Sequence, residues 1–374
     1  MAKILGEGGF GCVYFPGFSC KGKTYNKSKK IVTKIQRLNF SSQNEINIGN
    51  LISSLQNYNL YFLPVIKSCK LNIRSIKNIE IEKCKIIDGG YKGKLIAMDI
   101  PYVNQIEFTD IISNYSSKEI ILTIIESYKY ILISLQKLID INVVHFDLKL
   151  ENILFKKKTS NPRIIDFGIS IPILDLTPNN YKTYFYIYAP SYYVWCLEIN
   201  IINYLLHKTQ SNLSSNEADL IATSYVANNK ALEIFSDDFK LKFLEAAKKE
   251  VKKYVNIDRN EAITKLISYY RTWDNYSIAI VFLRIIALLF PTDLHKNKFI
   301  ILFSQLLLLN IHPNPLKRLT IPQTADKFNN IFFIDGNVDD YITLSKIFNL
   351  DKINTTKSIK QDIFHLKKLN KKNT

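Results

Sequence analysis

His145-Phe146-Asp147-Leu148-Lys149-Leu150-Glu151-Asn152-Ile153-Leu154-Phe155, followed after a short gap by Ile164-Ile165-Asp166-Phe167-Gly168, decides how this chain is to be read. Two carboxylates, a lysine and an asparagine stand here in a fixed order. An alcohol attacking a phosphoryl group needs a carboxylate to orient it and take its proton, a cation near the moving phosphate, and oxygen ligands for a hard divalent metal. Asp147, Lys149, Asn152 and Asp166 supply all of these. Taken singly they have plainer readings, since Asp147 could cap a turn and Asp166-Phe167-Gly168 could be a loop.

Upstream, Gly6-Glu7-Gly8-Gly9-Phe10-Gly11-Cys12-Val13 fits G-x-G-x-x-G-x-V, in which absent side chains let backbone N–H groups come close to phosphate oxygens. Alone it is also what a glycine-rich hairpin turn looks like. Lys34 follows in the β-type run Ile31-Val32-Thr33-Lys34-Ile35, where its ammonium can reach the α- and β-phosphates. Glu45 opens the next helical pattern and can hold that ammonium, although Ser42-Gln43-Asn44-Glu45 also reads as a capping box.

Together these segments resemble the eukaryotic protein kinase family, in its Ser/Thr branch because Lys149 stands two residues after Asp147. The resemblance implies an α+β, bilobal protein-kinase-like fold. A small β-rich N-lobe with one key helix spans residues 1–103, a larger, mainly helical C-lobe spans 104–348, and ATP sits in the cleft between them. It implies Asp147 and Lys149 as catalytic residues and Asn152 and Asp166 as ligands of Mg2+, with Mn2+ the alternative. ATP would be held by Gly6, Glu7, Gly8, Gly9, Phe10, Gly11, Val13, Lys34 and Glu45. The acceptors would be Ser/Thr hydroxyls of protein substrates.

The pattern along the chain divides in the same place. Short β-type runs reach from Ile4 to about Val103, interrupted by Ile48, Leu51, Ile52 and Leu55 at helical spacing. A long apolar stripe then runs from Ile120 to Leu138. Ser211 to Asn216 reads as a loop, Asp237 to Tyr254 as a charged amphipathic helix, and 349–374 as a Lys-rich tail frayed at its last residues.

For the hinge, Ile100 takes the position at the back of the adenine pocket. Placing Met98 there would require of Pro101 an amide hydrogen that it lacks, whereas this register needs only the Pro101 carbonyl and the Val103 N–H. Asp274 looks like the family's buried helix start, which hydrogen-bonds the catalytic-loop backbone. Arg318 looks like its late structural arginine, with Glu198 preferred over the Ala189-Pro190-Ser191 segment as partner because that segment offers no carboxylate.

Phe146 departs from the family, many of whose members carry there an arginine that reads an activation-segment phosphate; a phenyl ring makes no such bonds. The long stretch between Glu198 and Asp274 makes 207–268 an insertion. The hinge, the Trp195-Cys196-Leu197-Glu198 closure and the insertion look similar to kinases of large DNA viruses. That implies action in an infected cell's cytoplasm or in the virion.

A charge of +17, from 50 Lys and Arg against 33 Asp and Glu, reads as a solvated lysine-rich surface, with nucleic-acid binding a minority reading. Five cysteines without metal spacing are expected as free thiols in a reducing, intracellular compartment, Cys12 as a small buried one. Apolar runs such as Ile278 to Phe290 are too short to span a bilayer and include Arg284, so a soluble protein is expected. Two other functions compete: a phosphotransferase acting on small molecules, and a catalytically silent scaffold of kinase fold. The second conflicts with the joint presence of Lys34, Glu45, Asp147, Asn152 and Asp166.

Overall fold

Runs rich in Ile, Val and Thr, broken by turn residues, fold in the first part of the chain into one antiparallel sheet. The computed structural model describes residues 2–7, 11–72, 83–84, 93–157, 159–208, 212–290, 298–334 and 351–372. Gly8, Gly9 and Phe10 of the glycine-rich segment lie outside the described residues. The chain forms two compact units, Met1–Ile106 with Asn152–Ser170, and Glu107–Glu151 with Ile171–Thr374.

The first unit holds β1 (Lys3–Glu7), β2 (Gly11–Phe15), β3 (Ile31–Arg37), α1 (Phe40–Ser53), β4 (Lys67–Leu71), β5 (Leu95–Pro101) and β6 (Gln105–Ile106). Strands order as β1-β2-β3-β5-β4. Cross-strand partners share a face, and Lys34 pairs with Met98, so Lys34 lies opposite the face of its neighbour Ile35. Tyr14, Phe18, Ile35, Leu95 and Ala97 fill one core. Val65, Ile96 and Met98 fill another, with Ile46 of α1 and Ile100 packed against it. Gly11 is required by packing, because a Cβ there would stand 2.4 Å from the Ile35 carbonyl oxygen.

Two expectations need correction here. The helix is capped by Asn39, whose side chain accepts from the Ser42 N–H while the Ser42 hydroxyl accepts from the Asn39 N–H. The capping box therefore sits three residues earlier than Ser42–Glu45, which frees Glu45 for other partners. Leu51, read as part of the apolar stripe, is exposed, whereas Ile48 and Ile52 are buried.

The expectation of free thiols is also overturned. Cys12 is bonded to Cys84 and Cys20 to Cys69, across sequence separations of 72 and 49. Sheet packing brings each pair of Cα atoms to 6.0 Å, a proximity that no local spacing reveals. Only Cys196 is a free, buried thiol among the described cysteines. The inference from reduced cysteines to a reducing compartment loses its basis.

In the second unit the apolar stripe forms α3 (Ser117–Asp140), which follows α2 (Phe108–Asn114) and begins with a Ser116/Glu119 capping box. After α4 (Tyr181–Tyr184) come α5 (Leu197–His207), α6 (Ser215–Ala227), α7 (Asp237–Val251) and α8 (Arg259–Ile267). Ser215 and Asn216, expected in a loop, open α6 because Ser214 and Glu217 form a capping box. Then follow α9 (Trp273–Leu289), α10 (Lys298–Asn310), α11 (Ile321–Asn329) and α12 (Lys352–Lys372).

The segment Tyr270–Leu289 is long and apolar enough to cross a membrane, but 89% of it is buried inside the protein, as expected of a core helix. Helix α12, formed by the Lys-rich tail, is tied to α9 by Arg284 and Asp362 (Nε to Oδ2, 2.5 Å). It is also tied to the region of α2 by Lys352, whose Nζ donates to the Tyr115 carbonyl at 2.7 Å.

Candidate active site

The site residues of the first unit gather around Lys34. Its ammonium lies 2.9 and 2.8 Å from the two Glu45 oxygens and 3.0 Å from Asp166 Oδ1. Strand β3 supplies the lysine and α1 the glutamate. Lys34 and Glu45 are buried, and the Asp166 side chain is one-third exposed. Burial acts against the Lys34 charge, but the charges of Asp166 and Glu45 outweigh it and hold the pKa above the ordinary lysine range. Burial pushes the Glu45 carboxyl up, with Lys34 opposing.

The Asp166-Phe167-Gly168 segment is fastened to α1. Asn44 Nδ2 donates to the carbonyls of Gly168 (3.2 Å) and Ser170 (2.7 Å). A Cβ at Gly168 would stand 2.7 Å from the Ser41 hydroxyl, which would have to turn away to admit it. Phe167 is buried with its ring edge against Phe62, 6.1 Å between centroids. Asn44 carried no signal in the sequence, being one polar residue on a helix.

Asn152 is placed by the hairpin that it begins. Strand Ile153–Lys156 pairs with Pro162–Ile164, Ile153 facing Ile164, and the Ile165 N–H donates to the Asn152 carbonyl at 3.0 Å. Asn152 and Asp166 therefore flank the same end of one hairpin. Their side chains are hard oxygen donors, and Asp166 remains partly exposed, which suits Mg2+. That ion takes one or two protein ligands and fills its remaining positions from phosphate and water. Among the described residues no group of three or more His, Cys, Asp and Glu side chains could form a protein-only cage.

At the other end of β5, Ile31 pairs with Pro101, and the Tyr102 N–H already donates to the Lys30 carbonyl at 2.7 Å. Pro101 and Val103 are half-buried. Gly6 and Glu7 lie on β1 opposite Val13 and Cys12 of β2.

The second unit holds Asp147 and Lys149, both buried. Lys149 Nζ lies 3.0 Å from Asp147 Oδ1 and 2.9 Å from Oδ2. The loop that carries them is fixed by Asp274 at the start of α9, which accepts from the backbone N–H groups of His145 (2.7 Å) and Phe146 (3.1 Å). Burial raises the Asp274 carboxyl, and His145 with these two N–H groups opposes the rise. Phe146 has a φ of 67°, in the left-handed region that a bulky residue adopts only when its surroundings compel it.

Those surroundings are aromatic. The Phe146 ring lies 5.0 Å from Trp195, 5.5 Å from Phe185 and 6.5 Å from Trp273. The Trp195 indole N–H donates to the Phe146 carbonyl at 2.7 Å. Tyr192 is also buried here and donates its hydroxyl to Asp147 Oδ1, a contact that the sequence did not announce. Arg318 pairs with Glu198 in full burial, as their residue types led us to expect.

Residues 1–192 match the protein kinase domain family. No curated protein matches the chain. Among solved structures the chain is similar to the autoinhibited serine kinase domain of the giant muscle protein titin, at 12% identity and a TM-score of 0.45, covering 95% of this chain and 90% of that one. It is also similar to the twitchin kinase region from C. elegans, at 14% identity and a TM-score of 0.48, covering 98% of this chain and 50% of that one.

Proposed function

The chain belongs to the protein kinase domain family, and on that premise we propose that it transfers the γ-phosphoryl group of Mg-ATP to Ser/Thr hydroxyls of proteins. The observation that carries this reading is the buried network of Lys34 with Glu45 and Asp166. Desolvating Lys34 and Glu45 beside the partly exposed Asp166 costs more than their mutual attraction need return, and such perturbed clusters gather at functional sites.

In this reading Lys34, oriented by Glu45, holds the α- and β-phosphates, and the backbone N–H groups of residues 6–11 approach the phosphate oxygens. The Pro101 carbonyl and the Val103 N–H meet the adenine edge. Asn152 and Asp166 hold Mg2+, which when bound neutralises charge on the phosphates. Asp147 orients the acceptor hydroxyl; its oxygen bonds to the γ-phosphorus, the bond to the β-phosphate oxygen breaks, ADP leaves, and the hydroxyl proton passes to Asp147. Lys149 places positive charge beside the transferring group. The resemblance to kinases of large DNA viruses would make host or viral proteins the substrates.

Phe146 and its aromatic neighbours support a second part of the reading: the activation segment is held without a phosphate. A phenyl ring packed on Phe185, Trp195 and Trp273 performs by burial what an arginine–phosphate pair performs by charge.

The test is Mg2+-dependent transfer of labelled γ-phosphate to basic and acidic protein acceptors, comparing wild type with Asp147→Asn. We expect label on serine or threonine and a loss of about a thousandfold in the variant. Nucleotide-stabilised protein without transfer to any acceptor would instead identify a scaffold.

A further inference from the structure

We propose that Tyr192 is a positioning residue for Asp147, fixing which carboxylate oxygen faces the acceptor; this rests on the phosphotransfer reading above. Two polar partners of Asp147 act differently. Lys149 bridges both oxygens at nearly equal distance, 3.0 and 2.9 Å, with a flexible side chain whose three donors rotate. It neutralises the carboxylate but does not tell its oxygens apart. The Tyr192 hydroxyl donates to Oδ1. A directed donor on Oδ1 fixes the plane of the carboxylate and the place of that oxygen.

The ring that carries this hydroxyl is fully buried and has little freedom. Its edge meets Trp195 at 5.0 Å and 76°, and the Trp195 N–H donates to the Tyr192 carbonyl at 3.0 Å. The indole N–H of Trp195 reaches the Phe146 carbonyl, and Phe146 is bonded to Asp147. The contacts thus close a circuit, from Asp147 to Tyr192 to Trp195 to Phe146 and back to Asp147. Lys149 Nζ lies 5.6 Å from the Tyr192 ring centroid, so the ammonium also rests against the phenol. A closed circuit of rigid groups is what holding a catalytic atom to within a fraction of an ångström requires.

Tyr192→Phe keeps the ring and removes only the hydroxyl. We expect kcat to fall about tenfold while the KM values for ATP and acceptor stay within about twofold, because the lost interaction serves the reacting atoms rather than substrate binding. Thermal unfolding supplies a readout that does not depend on activity. Tyr192→Phe should lower the unfolding midpoint in the wild-type background by more than it does in Asp147→Asn, since the two groups are in contact. An unchanged or increased kcat overturns the proposal. So does a loss of kcat accompanied by raised KM values, which is the mark of a general structural role. If wild type shows no transfer although the unfolding midpoints are coupled, the phosphotransfer reading fails, and the catalytic role of Tyr192 falls with it while the contact stands.

Discussion

Lys34 and Asp147 are both charged side chains taken out of water, yet they are held in opposite ways. Lys34 is gripped by charge: two carboxylates converge on it, one from a helix and one from the Asp166 turn. Asp147 pairs with Lys149, and further support comes through hydrogen bonds and packed rings, from Tyr192, Trp195 and Phe146. The difference matters because the two kinds of support fail differently. An ion pair that loses one member leaves an uncompensated buried charge. An aromatic brace that loses one polar atom keeps most of its packing and gives up only precision.

That contrast can be broken by experiment. Lys34→Met takes the cation from between the Glu45 and Asp166 carboxylates, and we expect about 3 kcal/mol of lost stability in denaturant unfolding, together with a marked loss of transfer. Trp195→Phe keeps an aromatic ring but removes the indole donor to the Phe146 carbonyl. The unfolding free energy should fall by only about 1–2 kcal/mol. A larger effect for Trp195→Phe than for Lys34→Met would reverse the comparison. Phosphatase treatment should have the smallest effect: activity within about twofold of untreated protein, since Phe146 stands where an arginine would read a phosphate. A large fall after treatment would show that charge supports the second unit as well.

What the sequence disclosed follows the same contrast. Lys34, Glu45, Asp147, Asn152 and Asp166 were legible because phosphoryl chemistry demands those residue types at those intervals. Glu198 was legible as the partner of Arg318 because the family resemblance implies a glutamate there and the competing Ala189-Pro190-Ser191 segment offers no carboxylate. Tyr192 was not, because one tyrosine among 22 has no distinguishing pattern until the chain folds. Asn44 was missed for the same reason, as were the Cys12–Cys84 and Cys20–Cys69 pairs, whose partners are brought together only by the sheet. The capping box was misplaced because Asn39 and Ser42 close a box without the usual Glu or Gln at its third position, while the ion pair with Lys34 engages Glu45.

Helix α12 sets a timetable for the second unit. The Lys352 ammonium meets the Tyr115 carbonyl across 237 positions of chain. At a synthesis rate of roughly 5–20 residues per second, α2 must wait on the order of 10–50 s after it leaves the ribosome for the surface it packs against. Throughout that interval the face that α12 will cover is open to chaperones and to other nascent chains.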